Sequence, residues 1–171
     1  MPTEEHQSLP KYDFEFVGGK FNSYLFQTQY DIIYEITFKP NGYIFEENHS
    51  FKEKTFEFSI IPIENPNKIN PPLDKRVPNT IASIFSDFFQ QHHRIVVYAC
   101  ETADNRASAR FRKFNQWFDW YKGTSFFKVD MQMGNDNKGE IYFTSLIIKI
   151  DNPDAIEIVA AFRQMIMSNQ K

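Results

Sequence analysis

The chain has 171 residues, a formal charge of −3 and 24% charged residues. Its 42% hydrophobic content supports one sizeable core and excludes a disordered composition. A single cysteine, Cys100, excludes an intrachain disulfide framework and a multi-Cys zinc site, and the mildly acidic balance is unsuited to general nucleic-acid binding, which depends on neutralising phosphates.

Aromatic residues are abundant, with 19 Phe, 8 Tyr and 2 Trp. This composition predicts an aromatic-packed globule, and a high Phe count suits a homodimer surface as well as a dense core. Residues 1–10 are polar and acidic and are expected to be a flexible N-terminal segment, followed by one α+β domain over 11–171. The first residues lack the apolar stretch of a leader, and no run reaches the roughly 18 apolar residues of a membrane span. The expectation is a cytoplasmic protein with no membrane contact.

The first third reads as strands. Phe14 and Phe16 alternate with Asp13 and Glu15, and Gly18-Gly19 supplies a turn. Ser23 to Thr28 carries Tyr24 and Phe26 on one side. Ile32, Tyr34, Ile36 and Phe38 share one face of the segment from Asp31 to Phe38. Pro40-Asn41-Gly42 predicts a hairpin, because Asn-Gly tolerates positive φ, with Tyr43 to Glu47 as the return strand. Thr55 to Ile63 alternates again, completing an antiparallel meander with one buried face.

A Pro-rich loop over 64–72 follows. Val77, Ile81, Ile84, Phe85, Phe88 and Phe89 then have helical spacing, with Pro78 confined to the first turn. Arg94 to Cys100 is a short continuous apolar run, as expected of a central strand covered on both faces. A second helix is capped by Thr102 or Asp104, carries Ala107, Phe111, Phe114, Phe118 and Tyr121 as its apolar stripe, and ends at Gly123. Phe126 to Met133 and Glu140 to Ile150 form a hairpin around residues 134–139. Asn152-Pro153 opens the last helix as cap and first position, with Ala155, Ile158, Val159, Phe162, Met165 and Ile166 facing the core. The predicted order is five strands, helix, strand, helix, two strands, helix, as a mostly antiparallel sheet covered by three helices.

Motifs for chemistry are sparse. His6, His49, His92 and His93 have neither i, i+4 spacing nor a nearby cysteine, so no metal site is expected. Phosphate-binding and nucleophile-elbow motifs are absent from the sequence. Cys100 reads as a small core residue, or as a thiol activated by the following helix N-terminus and Arg106. The junction after it offers Thr102, Asn105 and Arg106 as ligand-binding candidates for an anion; the plainer reading is a helix cap. Arg106, Arg110, Lys113, Trp117 and Trp120 form a basic and aromatic stripe on the second helix. Of these, Arg110, Lys113, Trp117 and Trp120 are the candidates for a partner surface. The same stripe admits a nucleic-acid reading, because basic groups hold phosphates and aromatic rings stack.

The stretch from Tyr98 to Phe118, with Asn79 to Phe89 upstream, resembles a small Bacteroidetes family known only as a domain of unknown function. That resemblance implies a bacterial cytoplasmic protein and supplies no activity. The element order is also similar to the core of GNAT-type acyltransferases, whose strand-to-helix start is Asn-x-x-Ala-x-x-apolar-Tyr. Asn105 and Phe111 match this pattern, Ser108 replaces the Ala, and Arg112 replaces the Tyr that acts as general acid. Residues 64–76 contain no glycine where that family has its pyrophosphate-binding turn. Three readings follow: a non-catalytic binding or regulatory module acting through a protein partner and needing no cofactor; a divergent GNAT-like acyltransferase binding an acyl-CoA; and a nucleic-acid-interacting component of a defence or toxin–antitoxin locus.

Overall fold

A computed structural model describes residues 9–45, 50–100, 107–121, 123, 125–135 and 140–168. Strands β1 (Phe14–Gly18), β2 (Ser23–Gln27), β3 (Ile33–Pro40) and β4 (Thr55–Glu64) form the antiparallel meander. Helix α1 (Arg76–Phe88) leads to β5 (Ile95–Cys100), and α2 (Ala107–Tyr121) leads to the hairpin β6 (Phe126–Asn135) and β7 (Glu140–Lys149). Helix α3 (Ala155–Ser168) is the last element. The seven strands lie in the order β1-β2-β3-β4-β5-β7-β6, and only β4 and β5 run parallel. The α+β class is as the sequence patterning predicts.

Period-two alternation decides the two halves of the sheet. In the meander, Tyr24, Phe26, Ile36, Phe38 and Phe58 face α1. The opposite face carries polar cross-strand pairs, Ser23 with Glu35 at 2.9 Å and Thr37 with Ser59 at 2.7 Å. In β5 the apolar run is continuous and both faces are covered. Val96 joins the aromatic cluster under α1 and α2, whereas Ile95 and Val97 join a second cluster with Leu146, Ile148 and the α3 residues Ile158, Ala161, Phe162 and Ile166. Phe38 and Phe88 stack at 3.8 Å in the first cluster, fixing α1 on the meander.

The expected strand from Tyr43 to Glu47 is corrected by the structure, which has seven strands rather than eight among the described residues. Residues Gly42–Ile44 form a 3-10 turn, and β4 pairs directly with β3. Asn41 has φ −137°, so this is no positive-φ hairpin. Gly42 is required for a different reason: a Cβ there would lie 2.3 Å from the Lys52 carbonyl oxygen. Phe45 turns inward against Phe51 instead of alternating along a strand.

The other ends follow local chemistry. The Asp154 N–H donates to Asn152 Oδ1 at 2.9 Å, so Asn152 caps the start of α3, whose regular turns begin at Ala155. Gly123 has φ +53° just past α2, a conformation that favours glycine. The expected caps Thr102 and Asp104, the turn at 136–139 and the flexible residues 1–8 lie outside the described residues. Among the described residues, no helix is long and apolar enough to cross a membrane.

Candidate functional site

Helices α1 and α2 cover the same face of the sheet but leave a cleft of about 560 Å³ between them. The inner side of α1 is committed to the sheet through Ile84, Phe85 and Phe88, and its flank presents Ala82, Ser83 and Ser86 to the cleft. The opposite wall is Phe114, Trp117, Phe118 and Tyr121, which recur every three or four residues along α2. Phe14 and Phe126 complete the apolar lining.

Asn79 closes one end. Its amide nitrogen donates to the Pro10 carbonyl at 2.6 Å, and its Oδ1 accepts from the Tyr121 hydroxyl. The segment before β1 is thereby strapped along α1. The Tyr12 N–H donates to Thr80 Oγ1 at 2.9 Å, and Lys11 Nζ donates to Ser83 Oγ at 3.2 Å. Three parts of the chain, far apart in sequence, thus share one buried amide.

The charged groups nearby are internally paired. The Tyr24 hydroxyl donates to Asp87 at 2.7 Å. Burial, then the Asp87 hydrogen bond and charge, push the Tyr24 phenol well above its ordinary pKa, so it stays neutral. Arg94 lies 4.1 Å from the Phe88 ring centre and donates to the Phe88 carbonyl at 2.9 Å. Burial lowers the Arg94 pKa, and the Asp87 charge opposes that. Among the described residues, the cleft lining contains neither His nor Cys.

The N-terminus of α1 is also occupied. Asp74 Oδ1 accepts from the Arg76 N–H at 3.0 Å and from Arg76 Nε at 3.3 Å, and the Tyr12 hydroxyl donates to the other carboxylate oxygen. Burial works to raise the Asp74 pKa, but these hydrogen bonds outweigh it and hold the carboxyl below its usual range. An internal carboxylate therefore sits where a bound anion would meet the helix dipole.

The parallel strands β4 and β5 separate quickly. Only Thr55–Ile95, Phe56–Val96 and Glu57–Val97 pair, after which β4 continues beside β3 and β5 beside β7. Phe58, Tyr98 and Phe114 fill the apex of this wedge, with ring separations of 4.3–5.9 Å.

The sequence-derived candidates fall in different places. Thr102, Asn105 and Arg106 lie outside the described residues, and Arg110 is on α2 with its side chain outside them. Lys113 is exposed, with Nζ 5.0 Å from the Trp117 ring. Trp117 is half-buried and lines the cleft, whereas Trp120 is 78% exposed. Arg112 is exposed. The Cys100 side chain, His6 and His49 lie outside the described residues, and His92 and His93 are exposed neighbours. Among the described residues, no group of three His, Cys, Asp or Glu could hold a metal. Asn79 escaped the sequence reading; its only signal was a polar amide beside the apolar stripe of α1.

The fold and the cleft define an α+β domain with a mostly antiparallel sheet and an aromatic groove between two helices. Residues 73–164, just over half of the chain, match a family of unknown function (DUF6169), and the chain belongs to that family. The matched stretch holds both helical walls of the cleft. No curated protein and no solved structure matches the chain.

Proposed function

We propose that this protein is a non-catalytic binding module that engages a protein partner through the α1–α2 cleft and the adjoining exposed turn of α2. A bacterial, cytoplasmic setting is part of this proposal. The observation that carries it is the aromatic cleft with Trp117 in its wall and Trp120 exposed on the same helix. Apolar grooves between helices accept the apolar face of a partner segment, and exposed tryptophans are frequent energetic anchors of such contacts. The charged groups around the cleft are spent on internal pairs, which suits recognition more than proton transfer. The test is affinity capture with the full chain and its Trp120→Ala variant. A specific protein held by the wild type and lost by the variant is expected; identical captured sets from both refute the reading.

A second reading, an acyltransferase-like protein binding an acyl-CoA, draws support from the early separation of β4 and β5 with α1 and α2 following their open ends. Three features oppose it: Asp74 occupies the α1 N-terminus, aromatic rings fill the wedge, and Arg112 stands where a proton-donating Tyr is usual. A thermal-shift assay with coenzyme A and acetyl-CoA separates the two. Ligand at 100 times its dissociation constant adds about 2.7 kcal/mol, or about 5–10 °C for a chain of this size. No shift leaves the partner reading in place.

A further inference from the structure

The cleft between α1 and α2 is bordered by cations, although the whole chain carries a formal charge of −3. Three lysines from three different elements each rest on an aromatic ring of its lining. Lys11 Nζ, on the segment before β1, lies 5.9 Å from the Phe14 ring centre. Lys113 Nζ, on α2, lies 5.0 Å from that of Trp117, and Lys149 Nζ, at the end of β7, lies 5.7 Å from that of Phe126. Among the described residues, none of the three is bonded to a carboxylate, and Lys11 donates to Ser83 Oγ. Lys128 is the contrast: its Nζ lies 5.8 Å from the Phe118 ring centre but is bonded to Asp130. Among the described residues, Asp87 is the one acidic side chain in the lining, and it accepts from the Tyr24 hydroxyl. The border therefore sets three cations against one carboxylate that is hydrogen-bonded within the chain.

We propose that the partner segment seated in this cleft is an acidic amphipathic helix. Its apolar residues, at i, i+3 or i+4 and i+7, turn into the aromatic lining, and Asp or Glu on its flanks reaches the three lysines. This rests on the reading of the cleft as the partner site and names the chemistry of the partner. Charge selects the flanks. An ammonium lying over a ring keeps donors free, so a carboxylate joins it without breaking an ion pair. Complementary charges at the border speed encounter and reject basic segments.

The walls select the backbone. Both long walls of the cleft are helices, whose N–H and C=O groups are bonded within the helix. An extended segment would bury its own peptide groups between them without partners. A helix satisfies its own peptide groups and offers one apolar face to the rings.

The test selects random peptides of about 16 residues, enough for four helical turns, from a display library against the immobilised full chain. The enriched peptides are then titrated onto the wild type, Lys113→Glu and Ser86→Trp. Lys113 and Ser86 are both exposed, Ser86 lines the cleft, and circular dichroism confirms the fold of both variants. The expected peptides carry apolar residues at helical spacing and an excess of Asp and Glu. Their dissociation constants are expected to rise at least about fivefold in Lys113→Glu and at least about tenfold in Ser86→Trp, which narrows the cleft. Peptides lost by Ser86→Trp but lacking the acidic excess, or held equally by Lys113→Glu, overturn the acidic helix and leave the cleft as a partner site. Peptides held equally by Ser86→Trp, or no enriched peptide, overturn both.

Discussion

Replacing Asn79 with Ala removes the amide that ties the segment before β1 and the end of α2 to α1. Asn79 is 6% exposed and donates to the Pro10 carbonyl at 2.6 Å while accepting from the Tyr121 hydroxyl. Each bond contributes about 1 kcal/mol net, because folding exchanges it for a bond to water. Alanine returns about 0.5 kcal/mol in helix propensity, leaving a net loss of about 1.5 kcal/mol. Pro10 is exposed, so water can take over its carbonyl and keep the loss at this level. In a chain of this length that loss lowers the melting midpoint by about 3–6 °C. Urea unfolding followed by far-UV circular dichroism gives the free energy. Amide exchange gives the location, since the Tyr12 N–H is held by Thr80 on the same strap. A loss below about 0.5 kcal/mol, with exchange at Tyr12 unchanged, would refute the view of Asn79 as the shared tie.

Other outcomes follow from the same geometry. Phe88→Ala deletes a ring that is 1% exposed, stacked on Phe38 at 3.8 Å and lying under Arg94; the expected cost, read by urea denaturation, is about 3–5 kcal/mol. Gly42→Ala drives a Cβ into the backbone of Lys52 and is expected to lose about 1–3 kcal/mol, and a neutral result would mean that the 3-10 turn yields easily. Asp74 has a lowered pKa in the folded chain, so it binds protons more weakly folded than unfolded. Its contribution is complete above its unfolded pKa of about 3.9 and fades as pH falls through the lower folded value. Asp74→Asn is therefore expected to be less stable at neutral pH and to flatten the acid limb of the stability curve, which acid titration of the midpoint checks.

Local patterning made most of the architecture legible. Alternation in β2, β3 and β4 announced a sheet with one apolar face, and the uninterrupted Ile95-Val96-Val97 announced a strand covered twice. The Asn152-Pro153 pair marked the α3 start because cap chemistry is local. The segment after Asn41 misled for a non-local reason. Its alternating Tyr43 and Phe45 imitate a strand, but β4 already occupies the edge of β3, and Gly42 tucks against Lys52. The cleft was legible only in part. Helical spacing placed Phe114, Phe118 and Tyr121 on one wall, yet it grouped Trp117 with Trp120, and packing turns the first into the cleft and leaves the second in solvent. Asn79 was invisible as a site residue because its partners lie 69 and 42 residues away. Spacing rules cannot see contacts that only the tertiary fold creates.

The most direct measurement is site-specific photocrosslinking in cells that naturally make the protein. A photoreactive residue replaces Ala82 in the cleft wall, and a control replaces the exposed Glu53 within the second 3-10 turn, Lys52–Lys54. The account predicts a discrete adduct to another protein from position 82 and none from position 53. No adduct from position 82, or the same adducts from both positions, would contradict a partner-binding cleft.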